Sequence, residues 1–119
     1  MIKTWSYIEE YKVLRKKILK SIDVTLKSGQ IFFGKELQKF EKRFIKDNNL
    51  KYGAAVGSGT DALYIALLGL GIKQGDEIIT VSNTAIPTVS AIRNCGAKVR
   101  FVDIGSDYLI NTSNIEKYI

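Results

Sequence analysis

Five consecutive residues could do chemistry: Gly57, Ser58, Gly59, Thr60 and Asp61, within "VGSGTDALYIALLGLG" (56–71). Small residues ahead of an apolar helical run let something approach the backbone closely. A helix start exposes unpaired N–H groups and a partial positive charge, so the natural visitor is an anion, phosphate above all. Gly57 and Gly59 remove the Cβ atoms that would block it, and Thr60 adds a hydroxyl donor. One anion there gains about 0.3–2 kcal/mol from the helix dipole. Charge-assisted hydrogen bonds add about 1.5–3 kcal/mol each before other costs.

Three ligands compete for such a turn. A phosphate loop of the Gly-Lys-Ser/Thr type is excluded, because Gly59-Thr60-Asp61 holds no lysine. Gly57, Gly59 and Ala62 spell the G-x-G-x-x-A of a dinucleotide turn. That motif wants an acid at the end of the next strand to hold the ribose. The next strand ends in Val81-Ser82-Asn83, and Asp76 and Glu77 precede it. The third ligand is the phosphate of pyridoxal phosphate. A tight, capped turn with no ligand accounts for the same residues.

Little else in the chain is reactive. It has one cysteine and no histidine, so no disulfide framework, Cys/His zinc site or histidine base can be built from it. Cys95 sits on an apolar helix end and reads as packing. Asp103, in "FVDI", reads as a strand-end cap.

The elements that must position the turn follow from periodicity. The first ~27 residues form one amphipathic helix, with Tyr7, Tyr11, Leu14, Ile18 and Ile22 on a face. "SGQIFFG" (28–34) is a loop carrying three apolar residues between glycines. In "KELQKFEKRFIK" a second helix places Leu37, Phe40 and Phe44 together. From Tyr52 the character changes. "YGAAVG" reads as a strand, "TDALYIALLGLG" as a helix, "IITVS" as a strand, "NTAIPTVSAIRNCG" as a helix with Pro87 near its first turn, and "AKVRFVDI" as a third strand. "SDYLI" is ambiguous, and "NTSNIEKYI" reads as a helix start with Ser113 and Glu116 at capping-box spacing. Alternation of this kind predicts an α/β fold with a mostly parallel sheet and helices on both faces. Two segments are expected, 1–51 helical and 52–119 α/β, the second incomplete, since sheets of this class average five or six strands.

Composition narrows the classes. The 119 residues are 45% hydrophobic and 25% charged, an ordinary soluble balance. The longest apolar run, Ala62–Ile72, is too short for a bilayer span. The start lacks the apolar core of a signal peptide, so the expected location is the cytoplasm, with no membrane partner. Net charge is +6, and residues 1–51 carry the excess, with 13 Lys/Arg against 6 Asp/Glu. The basic residues alternate with the apolar helical face, which is how a solvated surface looks. No aromatic-and-basic motif accompanies them, so nucleic acid is not an expected partner.

Four segments in order resemble the DegT/DnrJ/EryC1/StrS sugar aminotransferases, pyridoxal-phosphate enzymes of fold type I. "GKELQKFEKRF" resembles G-x-E/Q-[VL]-x-x-F-E-x-x-F, and "VGSGTDALYIALLGLGI" resembles the G-[NS]-G-T-x-A-L helix start. "GDEIITVSNT" resembles G-D-E-V-I-T-x-x-x-T, and "GAKVRFVDI" resembles G-A-x-P-V-F-V-D-I. No one motif is decisive; four in register, over nearly the whole chain, are specific.

The resemblance implies the N-terminal portion of a fold type I large domain. It implies that Ser58, Gly59, Thr60 and Asp61 hold the cofactor phosphate through backbone N–H groups and the Thr60 hydroxyl. It places Ala85 where the family carries an aromatic residue stacked on the pyridine ring, a departure that leaves the stacking without its usual group. It puts the loop Gly29–Gly34 near an active site at a subunit boundary of a homodimer; packing beneath the first helix accounts for Ile31, Phe32 and Phe33 equally well. The implied reaction moves an amino group from an amino acid, typically glutamate, to a nucleotide-linked keto-sugar. The Schiff-base lysine and the acid facing the pyridine nitrogen lie, in the family, beyond Ile119. No catalytic residue is therefore expected in this chain, and the chain alone is expected to be inactive. In that fold the first strand does not neighbour the next two, so 52–57 and 77–102 are not expected to complete one sheet. Two alternatives stay open: an NAD(P)-dependent oxidoreductase using the G-x-G-x-x-A turn, and a non-catalytic interaction fragment whose basic helix docks an acidic partner.

Overall fold

The computed structural model describes residues 6–119. The chain divides into two compact units, one ending at Ala55 and the next beginning at Val56.

The first unit is helical. Helix α1 (Tyr7–Lys27) starts at Ser6, whose side chain accepts from the Ile8 N–H. Glu9 and Glu10 lie in its first turn and Lys27 in its last, complementing the helix dipole. The first five residues of the helix expected from the sequence lie outside the described residues. The apolar face is present but uncovered: no described residue of α1 is buried, and only Leu14 and Thr25 are half-buried. The loop that follows turns on Gly29 (φ +68°) and on Phe33, a non-glycine residue at φ +51°. Phe32 and Phe33 are 83% and 86% exposed, so they do not pack beneath α1.

Helix α2 (Lys35–Asp47) starts at Gly34. A Cβ there would lie 2.6 Å from the Gln30 carbonyl oxygen, so the loop can close onto the helix only at a glycine. Phe40 and Phe44 stack on each other, ring centroids 5.9 Å apart, and both remain exposed. The half-buried row of α2 is instead Leu37, Glu41 and Ile45.

Tyr52–Val56, which reads as a strand, joins no ladder among the described residues, in line with the expectation that 52–57 and 77–102 do not complete one sheet. The Ala55 N–H donates to Glu41 Oε1 at 2.9 Å.

The second unit alternates as expected: α3 (Gly59–Gly69), β1 (Glu77–Val81), α4 (Ile86–Asn94) and β2 (Lys98–Val102). The strands pair in parallel, Glu77 opposite Lys98 through Val81 opposite Val102. α4 crosses between them, with Pro87 in its first turn, where the missing N–H has no helical acceptor to lose. The buried core is small: Ala91, Ile92, Cys95, Ala97 and Val102. Cys95 caps α4, and its thiol points at the Tyr64 carbonyl of α3, 3.8 Å away, which confirms a packing role. α3 is apolar around its whole circumference, yet none of its residues is buried. After β2 the chain turns back on itself, with an Ile104–Ile110 antiparallel bridge and Tyr108 at φ +64°. This settles the ambiguous "SDYLI" as a turn and bridge.

The C-terminal element is a 3₁₀ helix, Thr112–Tyr118, capped by Asn111, whose Oδ1 accepts from the Ser113 N–H at 3.1 Å and from the Ser113 hydroxyl at 2.6 Å. The Ser113–Glu116 capping box expected from the sequence does not form, because the Ser113 hydroxyl is already spent on Asn111. Among the described residues, no helix is long and apolar enough to cross a membrane.

Candidate functional site

Helix α3 starts at a capped turn. Ser58 is the N-cap, in extended geometry (φ −160°, ψ 167°). Its Oγ accepts the Asp61 N–H at 3.1 Å and donates to Asp61 Oδ2 at 2.9 Å. The Ala62 N–H donates to the Ser58 carbonyl at 3.0 Å, opening the helical ladder. The amides of Gly59 and Thr60 are left over, with no acceptor among the described residues. The Thr60 hydroxyl has none either, and Thr60 is half-buried.

Four residues were assigned to one anion, and the geometry separates them into two pairs. Ser58 and Asp61 are spent on each other. Gly59 and Thr60 supply the free donors: two N–H groups and one hydroxyl. The Asp61 carboxylate folds back over the turn, so that a Cβ on Gly57 would lie 3.0 Å from its Oδ2. Gly57 therefore serves the protein's own cap. Gly59 is different: its backbone is helical, and a Cβ there would meet nothing within 4 Å. Neither backbone strain nor a neighbouring protein atom requires glycine at this position. Glycine leaves its Cβ position open, and two unpaired amides at a positive helix end fit a phosphate monoester.

Ala85 occupies a second helix start, the N-cap of α4 (φ −69°, ψ 145°), with no side-chain capping bond. Around it Thr84 Oγ1 and Thr88 Oγ1 share a hydrogen bond of 2.9 Å. Sequence reasoning missed that pair; no hydrogen bond joins it to the Ser58–Asp61 turn. Asp103 does not act as a side-chain cap: its carbonyl accepts from the Asn111 N–H at 3.0 Å, while its carboxylate makes no hydrogen bond among the described residues.

The dinucleotide alternative loses its second requirement. β1 ends at Val81, and the acid in that strand, Glu77, lies at its opposite end. Glu77 is engaged: Arg100 donates through Nε and Nη2 to its two carboxylate oxygens, each at 2.9 Å. The pair spans the two strands diagonally, since Arg100 stands opposite Ile79. Hydrogen bonding to Arg100 holds the Glu77 carboxyl below its ordinary range, and the same bond raises the Arg100 guanidinium. It is a strut between strands rather than a ribose ligand.

Comparison with known proteins adds three findings. The model of the DegT/DnrJ/EryC1/StrS aminotransferase family matches residues 12–119. A relative from Micromonospora megalomicea subsp. nigra, dTDP-3-amino-3,4,6-trideoxy-alpha-D-glucose transaminase, is 38% identical over 113 residues, which are 94% of this chain and 30% of that protein. Two crystal structures superpose closely. DesV of S. venezuelae in complex with a ketimine intermediate has a TM-score of 0.90 at 35% identity, covering 96% of this chain and 31% of its own. NtdA of Bacillus subtilis, with bound cofactor PMP, has a TM-score of 0.85 at 34% identity, covering 87% and 24%. The chain thus spans less than a third of the length of these relatives.

Proposed function

The chain belongs to the DegT/DnrJ/EryC1/StrS aminotransferase family, and on that premise we propose that it forms the phosphate-holding start of a pyridoxal-phosphate sugar aminotransferase. Its helices and small parallel sheet are part of the fold type I architecture of its structural relatives. The Micromonospora relative is named as a transaminase of a dTDP-linked amino sugar, which supports a nucleotide-linked keto-sugar as acceptor. Glutamate is the proposed donor, and a homodimer in the cytoplasm the proposed working state.

Within this chain the work is binding and orientation. The Gly59 and Thr60 amides and the Thr60 hydroxyl take the cofactor's phosphate oxygens. Ser58 and Asp61 hold the first turn of α3 closed so that those donors point outward together. Ala85, at the start of α4, is proposed to lie against the ring, leaving more room there than an aromatic residue would. When bound, pyridoxal phosphate supplies an electron sink for amino-group transfer. None of the 14 lysines is proposed as the residue that carries the cofactor, and the 119-residue chain alone is proposed to be inactive.

The single observation that carries this reading is Gly59, a glycine that neither its own backbone nor any neighbouring atom demands, beneath open space and beside two unpaired amides. Calorimetric titration of the 119-residue chain tests it. Pyridoxal phosphate should bind and be displaced by inorganic phosphate, pyridoxal without its phosphate should bind far more weakly, and glutamate should not be converted to its keto acid. Equal affinity for the two pyridoxal species would refute the phosphate role. A nicotinamide dinucleotide binding in their place would support the oxidoreductase alternative.

A further inference from the structure

Helix α4 begins against two local handicaps. Its N-cap is Ala85, whose methyl group cannot accept from the first amides as a Ser, Thr, Asp or Asn side chain would. Its first residue, Ile86, precedes Pro87, and a residue before proline is disfavoured in helical geometry. Thr88 holds this start together. Its N–H donates to the Ala85 carbonyl at 3.0 Å. Its Oγ1 shares a hydrogen bond of 2.9 Å with Oγ1 of Thr84, on the other side of Ala85. A helical threonine commonly turns its hydroxyl to the carbonyl four residues back. Four residues back here is Thr84, outside the helix, and the partner is its side chain. Thr84 and Thr88 are half-buried, whereas Ala85 between them is exposed. One residue thus ties down both sides of an exposed alanine, within the second unit alone.

We propose that Thr88 is a positioning residue: its bridge to Thr84 fixes the Ala85 peptide and methyl group at the start of α4. The inference rests on the reading of Ala85 as the surface that lies against the cofactor ring. An aromatic residue there would bring its own large contact area; a methyl group offers little, so its placement decides how closely the ring is met. The bridge removes freedom from the residue before the helix, where the weak cap leaves it. Thr88 touches no ligand in this scheme; it acts through Ala85. Its contribution therefore concerns the ring, while the phosphate is left to Gly59 and Thr60.

The test compares Thr88→Val, Thr88→Ser and Thr84→Val in the 119-residue chain, by NMR of Ala85 and by titration with pyridoxal phosphate and with inorganic phosphate. Thr88→Val keeps the shape and loses the hydroxyl. It should shift the Ala85 amide and methyl resonances and weaken pyridoxal phosphate about three- to tenfold, the scale of one neutral hydrogen bond. Inorganic phosphate should stay within about twofold of wild type. Thr88→Ser keeps the hydroxyl and should hold both affinities within about twofold. Thr84→Val breaks the bridge from outside the helix and should repeat the Thr88→Val result, with the double variant no worse than either single one. Thr88→Val with wild-type Ala85 resonances and wild-type pyridoxal phosphate affinity overturns the inference. So does a Ser variant as impaired as the Val variant, or an equal loss of both ligands. If the wild-type chain binds pyridoxal phosphate no tighter than inorganic phosphate, the reading of Ala85 falls, and the Ala85 resonances of Thr88→Val alone decide the role of Thr88.

Discussion

Replacing Gly59 with alanine should move stability and ligand binding in opposite directions. Gly59 is helical, and an added Cβ meets no heavy atom within 4 Å. Alanine at a compatible helical position stabilises by about 0.4–1 kcal/mol, chiefly by restricting the unfolded chain. For a chain of this size that is a rise of a few degrees in Tm. On the proposed reading, the same methyl group crowds a phosphate held by the unpaired Gly59 and Thr60 amides. Losing one charge-assisted hydrogen bond costs about 1.5–3 kcal/mol, or roughly 10- to 100-fold in affinity for pyridoxal phosphate. Gly69→Ala is the control: it too is helical with nothing within 4 Å, but it lies at the far end of α3. It should raise Tm similarly and leave binding unchanged. Thermal unfolding by circular dichroism and calorimetric titration read the two effects separately. A Gly59→Ala chain that binds pyridoxal phosphate as well as wild type would reduce the turn to an ordinary capped helix start.

Two further substitutions probe the scaffold. Gly96 sits at φ +81°, and a Cβ there would press within 3.2 Å of Gln74 Cα and Cβ; Gly96→Ala should cost roughly 1–3 kcal/mol in urea unfolding, and an unchanged midpoint would contradict the backbone reading. Glu77, held below the ordinary carboxylate range by Arg100, contributes stability that is present above about pH 4 and is lost as pH falls through its lowered value. Arg100→Gln should flatten that acid-side slope in pH-dependent unfolding; an identical slope in both chains would show that the strut does not couple to folding.

Local hydrogen bonding made much of this protein legible in its sequence. A helix cap needs only residues three apart, so Ser58 and Asp61 could be placed from "GSGTD", and the start of α3 followed. Period-3.6 patterning marked α1 and α2, and Gly/Pro punctuation marked the turns around β1 and α4. The proposed anion-binding turn was legible for the same reason, since its donors are the helix's own first amides.

Tertiary structure decided whatever depends on a partner far along the chain. Tyr52–Val56 has the composition of a strand, but a strand is defined by its ladder, and β1 and β2 pair without it. The sequence placed Leu37, Phe40 and Phe44 on one face of α2; which row is covered depends on what lies against it, and the half-buried row is Leu37, Glu41 and Ile45. Asn111 displaced Ser113 as the cap of the last helix because its Oδ1 accepts both the Ser113 N–H and the Ser113 hydroxyl. Sequence alone determined which groups could bind an anion. Folding determined which of them stayed free to do so, because the Ser58 hydroxyl and the Asp61 amide satisfy each other and leave Gly59 and Thr60 unpaired.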